Sequence, residues 1–87
     1  MENKVLIKLI MLDMDESFDI FIPVNEIIWK IKKLIIKSIS DINNISLDIN
    51  NEYLLISKET SKIYDNNEIV INTDIRNGTE LILFKQT

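Results

Sequence analysis

The chain has 87 residues, 46% hydrophobic and 28% charged, with one glycine, one proline and a formal net charge of -4. Such a chain suits one globular domain with a modest core and no deep enclosed active site. The absence of cysteine removes disulfides and thiol nucleophiles, the absence of histidine removes the commonest general base and transition-metal ligand, and the negative balance disfavours nucleic acid.

Val5 to Leu12 reads as a strand, with Val5, Ile7, Leu9 and Met11 on one face and Lys4, Leu6, Lys8, Ile10 and Leu12 on the other. The lysines mark the second face as the wetter one. Asp13 to Ser17 is a polar turn, and Phe18 to Ile22 is a second strand in which Phe18, Ile20 and Ile22 alternate with Asp19 and Phe21. The short connection predicts an antiparallel hairpin. Pro23, which cannot donate to a ladder, stops the second strand.

Val24 to Ile42 is the organising stretch. Ile28, Ile31, Ile35, Ile39 and Ile42 share one helical face, opposite Glu26, Lys30, Lys33, Lys37 and Ser40. Asn25 is the expected N-cap, and the helix is expected to end at about Ser40. Isoleucine is a mediocre helix former, so this helix depends on a partner surface, which the flanking strands must supply.

Ile45 to Asn51 suits either a short strand or a loop with buried anchors. Tyr53 to Ile56 reads as a third strand whose four consecutive apolar residues leave the core-facing parity open. Ser57 to Lys62 is a turn, Ile63-Tyr64 a short apolar return, and Glu68 to Ile75 a mixed segment with room for one helical turn. Asn77-Gly78 is the clearest turn, and launches a last strand from Thr79 to Phe84 with Leu81 and Leu83 on one face and Ile82 and Phe84 on the other.

A hairpin, a helix and further strands, with the last strand parallel to the first through a right-handed crossover, make an α+β β-grasp: a mixed four- to five-stranded sheet with one main helix on one face. Within that order, Phe18-Asp19-Ile20-Phe21-Ile22-Pro23 entering the helix and Ile75-Arg76-Asn77-Gly78-Thr79-Glu80-Leu81-Ile82-Leu83 closing the chain resemble the YukD/EsaB group of ubiquitin-like proteins. Members of that group carry an aromatic-Asp-aliphatic strand ending in Pro and an Ile-x-Asn/Asp-Gly-x-x-Leu finish. The resemblance covers Lys4 to Leu83, departing from it at Thr79, where the family often has Asp, and in the short acidic first turn.

The resemblance implies a single ubiquitin-like domain over residues 1–87. It implies a small cytoplasmic component of a Gram-positive type VII (WXG100) secretion system that binds other proteins, among them membrane-associated secretion components, without catalysis or cofactor. The alternative is a ubiquitin-like carrier or modifier. It is the lesser reading because the terminal Phe84-Lys85-Gln86-Thr87 lacks the Gly-Gly tail such carriers use, and the only glycine sits in a turn. No run reaches the ~20 apolar residues of a bilayer span, and no secretion signal opens the chain, so the expected place is the cytoplasm, at the membrane's inner face through partners.

Other chemistry is thin. Asp13, Asp15, Glu16 and Asp19 surround the first turn, but an EF-hand loop needs glycine where this chain has Phe18, so a solvated acidic turn is expected and no metal site. Serine without histidine offers no triad. The candidate site is instead apolar. If Val5, Ile7, Leu9, Leu81 and Leu83 face the helix, then Leu6, Ile10, Ile82 and Phe84 lie together on the opposite face, with Phe21 on a neighbouring strand. Polar residues normally occupy the open face of such a sheet, so this patch is the expected partner surface, with a homodimer through it as the other arrangement. Trp29 and Ile36, two turns apart on the helix flank, are a second candidate.

Overall fold

The computed structural model describes residues 3–43 and 52–86. Strands β1 (Lys4–Met11) and β2 (Glu16–Pro23), helix α1 (Ile28–Asn43), and strands β3 (Glu52–Ser57) and β4 (Glu80–Gln86) follow in that order, with 3-10 turns at Leu12–Met14 and Val70–Asn72. They build a four-stranded sheet of order β2-β1-β4-β3. The outer pairs, β1 with β2 and β3 with β4, are antiparallel, and the central pair, β1 with β4, is parallel. This is the β-grasp that the order of elements predicts. Ile45 to Asn51, where a strand and a loop were both open, lies outside the described residues.

Helix α1 covers one side of this sheet. Ile28, Ile31, Ile35 and Ile39 are fully buried and share the core with Ile7, Leu9, Leu55, Leu81 and Leu83 from the strands. Burying one such side chain is worth roughly 1.5–3 kcal/mol, whereas isoleucine's lower helix propensity costs less than about 0.7 kcal/mol. Packing therefore decides the conformation. In β3 the buried residues are Tyr53, Leu55 and Ser57, which settles the parity that its apolar run conceals and turns Leu54 and Ile56 to the other side.

The ends of α1 differ from expectation. Asn25 is not its N-cap, because residues 24–26 form a turn and a bend held by tertiary hydrogen bonds. The Val24 carbonyl accepts from Ile71 N at 2.8 Å, the Glu26 carbonyl accepts from Val70 N at 3.1 Å, and Ile27 bridges Ile69. The helix begins after that bridge, and its first amides are taken by another loop: Ile28 N donates to the Glu68 carbonyl at 2.8 Å and Trp29 N to the Asn66 carbonyl at 3.2 Å. A backbone cap has replaced a side-chain cap. At the other end the helix runs on to Asn43 instead of stopping near Ser40, and Ile42, though on the isoleucine stripe, is 65% exposed.

The segment between β3 and β4 is locked by polar groups placed among apolar ones. Thr73 Oγ1 donates to the Val70 carbonyl at 2.6 Å and accepts from Ile75 N at 3.1 Å, so this buried hydroxyl is used in both directions. The Tyr64 hydroxyl donates to Asp74 Oδ1 at 2.6 Å, and burial together with that bond pushes the phenol up to about 12. Asp65 N donates to Glu68 Oε1 at 2.8 Å. That bond, helped by the Lys62 ammonium 3.3 Å from Oε2, holds the Glu68 carboxyl below its ordinary range. Where the chain enters β4, Gly78 has φ +88°, a value that side-chain-bearing residues adopt at a cost. Asn77 contributes its side chain instead of an unusual backbone, accepting from Leu6 N through Oδ1 at 2.8 Å.

Candidate protein-interaction site

The alternation that buries one side of each strand lays the intervening residues out as a grid on the side away from α1. Three cross-strand rows are defined by the ladders. In the first, Leu6 is paired with Phe21. In the second, Asp19, Lys8 and Glu80 are successive partners, and Lys58 Nζ lies 3.8 Å from Glu80 Oε1. In the third, Ser17, Ile10, Ile82 and Ile56 are successive partners, and Ile56 bridges Ile63 beyond the sheet edge. Phe84 and Leu54 are partners beyond that third row.

Leu6, Ile10, Phe21, Ile82 and Phe84 thus share one open face, but not one continuous patch. Lys8 stands between Leu6 and Ile10 in β1, and its row of alternating charge separates the Leu6–Phe21 pair from the rest. The reason is the two-residue repeat of a strand, which places every second side chain on the same face and so inserts Lys8 and Asp19 there. Phe21, 62% exposed, and Leu6 form a minor apolar pair. The larger area runs through Ile10, Ile82 and Phe84 and gains Leu54, Ile56 and Ile63, three residues the sequence did not single out. For the first two, the signal was hidden by the unbroken apolar run of β3. Ile63 joins only because a short return folds against the strand.

Half-buried isoleucines at the sheet centre cannot perform acid-base or nucleophilic chemistry; what such a surface can do is exchange water for another apolar surface. At the β1 end of the row the surface dips into a shallow cavity of about 200 Å³ lined by Ile10, Met11, Leu12, Asp15, Glu16 and Ser17. Of its lining, Ser17 partners Ile10 on the open face, whereas Glu16 partners buried Met11 on the α1 side. Asp13, Asp15 and Glu16 are exposed, and among the described residues no cation pairs with them; no group of three or more acidic side chains there could hold a metal ion.

The helix-flank pair does not form a site. Ile36 is 3% exposed and belongs to the core, whereas Trp29 is 38% exposed and lies under Lys33, whose Nζ is 4.7 Å from the ring centroid. At about 100° per residue Trp29 and Ile36 lie roughly 20° apart on the same flank of the isoleucine stripe, and burial, not facing, separates them. Nearby, Lys32 Nζ donates to the Tyr53 carbonyl at 2.7 Å, tying α1 to β3. Its burial there lowers the ammonium's pKa, an effect partly opposed by Glu52.

No protein-family model and no curated protein sequence matches the chain. Solved structures do. The chain is similar to a chain of the MycP5-free ESX-5 inner membrane complex, with a TM-score of 0.79 and 9% identity over 99% of its own length and 22% of that chain. It is similar to the EccD5 ubiquitin-like domain from Mycobacterium xenopi, with a TM-score of 0.77 and 10% identity over 98% of its length and 97% of that chain. It is also similar to the N-terminal ubiquitin-like domain of the 4931431F19Rik protein, with a TM-score of 0.72 and 16% identity over 100% of its length and 79% of that chain. The fold is therefore the ubiquitin-like β-grasp. Among the described residues, no helix is long and apolar enough to cross a membrane.

Proposed function

We propose that this chain is a non-catalytic, ubiquitin-like protein-interaction component, an adaptor or regulator, of a type VII secretion system of the YukD/EsaB kind, working at the inner face of the membrane through its partners. The observation that carries the binding role is the apolar row Ile10–Ile82–Ile56–Ile63 across the middle of the sheet, on the side away from α1, with Ile63 exposed and the other three half-buried. The secretion setting is supported by the motifs Phe18–Pro23 and Ile75–Leu83 and by the likeness to the EccD5 ubiquitin-like domain and to part of a chain of the ESX-5 inner membrane complex. Leu6 and Phe21 serve as a secondary contact across the charged row.

The test is site-specific photo-crosslinking in native cells, with the crosslinking residue placed at position 82 in one strain and at position 37, on the exposed side of α1, in another. Adducts to membrane-associated secretion proteins from position 82 and not from position 37 are expected, together with a secretion defect in an Ile82→Ser strain whose chain accumulates normally. Equal adducts from both positions, or normal secretion without Ile82, would reject the reading.

A further inference from the structure

We infer that Asn77 is a site of spontaneous deamidation and that two backbone bonds to Leu6 gate the reaction. The chemistry is set by the dipeptide Asn77-Gly78. The Gly78 amide nitrogen attacks Cγ of Asn77. A bond from that nitrogen to Cγ forms, the bond from Cγ to Nδ2 breaks, and Nδ2 leaves as ammonia with the amide proton. Water then opens the cyclic imide at either carbonyl, giving aspartate or isoaspartate, whose main chain runs through the former side-chain carbonyl. A side chain on the following residue crowds this ring closure. Asn77 precedes the only glycine of the chain, whereas every other asparagine is followed by a residue that carries a side chain.

The fold occupies both reacting groups. Gly78 N, the nucleophile, donates to the Leu6 carbonyl at 2.8 Å, and Asn77 Oδ1, on the carbon to be attacked, accepts from Leu6 N at 2.8 Å. The turn itself is closed twice: Thr79 N donates to the Arg76 carbonyl at 3.0 Å, and Arg76 N donates to Thr79 Oγ1 at 2.8 Å. Ring closure requires Gly78 N to leave Leu6 and turn toward Cγ. It therefore proceeds when the turn opens, at a rate that follows the open population. Asn77 and Gly78 are exposed, so water reaches the imide. The two products differ in consequence. Aspartate keeps an oxygen for Leu6 N, whereas isoaspartate adds a methylene to the main chain and cannot hold both bonds to Leu6 at once. Its formation leaves the entry to β4 unlatched from β1, a lasting record that the turn has opened.

The experiment ages the full chain in mildly alkaline buffer, native and in guanidinium chloride, and follows every asparagine by peptide mapping that separates aspartate from isoaspartate. Hydrogen exchange of the Leu6 and Gly78 amides is read in parallel by NMR. The expected result is conversion at Asn77 ahead of the other asparagines in both samples, at least roughly tenfold slower in the native one, with isoaspartate among the products. Thr79→Val, which removes the acceptor of Arg76 N, should speed native deamidation and Gly78 exchange together by roughly two- to tenfold and leave the denatured rate unchanged. Another asparagine converting first overturns the site. Equal rates in native and denatured wild-type chain overturn the gate, as does a Thr79→Val chain that exchanges faster at Gly78 without deamidating faster.

Discussion

Ile10 and Ile82 are partners across the parallel β1–β4 ladder on the uncovered side of the sheet, while Leu9 and Leu81, one residue earlier in each strand, are partners in the same ladder and wholly buried. One residue of register separates the face that holds the molecule together from the face that is free to bind. The two pairs should respond differently to truncation. Leu81→Ala is expected to cost about 2–5 kcal/mol, the range for emptying a packed core position. Ile82→Ser is expected to cost about 1 kcal/mol or less, a strand-propensity effect at a half-exposed site. Urea denaturation of both variants checks this, and a loss at Ile82 equal to that at Leu81 would show that the open face is part of the core.

Lys8 has Asp19 and Glu80 as its neighbours across the ladders, and it keeps the Leu6–Phe21 pair apart from the isoleucine row. Replacing it by leucine joins the two into one apolar area and removes a charge of the kind that keeps sheet faces from associating. Lys8→Leu is expected to raise self-association, read as a concentration-dependent increase in weight-average mass by sedimentation, with little change in thermal stability. A variant that sediments as the wild-type chain does would show that the charged row has no part in keeping copies apart.

The fold was legible because local signals agree: the period of two in β1 and β4, the isoleucine stripe from Ile28 to Ile39, and the break at Pro23. What was not legible depends on residues far apart in the chain. Asn25 has the chemistry of a cap, yet Val24 and Glu26 are claimed by Ile71 and Val70, and the carbonyls of Asn66 and Glu68 cap the helix instead. The candidate face followed the same pattern. Its members in β1 and β4 could be named from alternation, but Leu54 and Ile56 sit in a run with no polar residue to set the parity, and Ile63 joins the face through a bridge to Ile56 that no local signal announces. Trp29 and Ile36 were paired by helical spacing alone, which does not say how wide the buried stripe is, and it extends to Ile36.

Tyr64 titrates late. Its phenol is raised from an ordinary 10.0 to about 12 by burial and by donating to Asp74. A raised acid of this kind contributes stability that is fully present below pH 10 and is lost as pH rises through about 12. Spectrophotometric titration should therefore show a phenolate step near the alkaline unfolding transition that is missing in Tyr64→Phe. That variant is expected to lose about 0.5–1.5 kcal/mol at neutral pH, the net worth of one hydrogen bond. A Tyr64 step at pH 10 with the fold intact would mean the hydroxyl is not held as described.

Glu68 works in the opposite direction. Its carboxylate accepts from Asp65 N and lies beside Lys62, and these hold its pKa below the ordinary 4.5. A lowered carboxyl contributes stability above pH 4.5 that disappears as pH falls through the lower folded value. Because the Glu68 carbonyl also caps Ile28 N, loosening this turn releases the start of α1 as well as the loop. Acid titration followed by far-ultraviolet circular dichroism should find helix signal lost together with the turn. Glu68→Gln, which keeps an acceptor but cannot ionise, should flatten this part of the acid limb while lowering stability at neutral pH. If the wild-type and Gln chains lose helix along the same acid curve, the carboxylate is not coupled to the helix start.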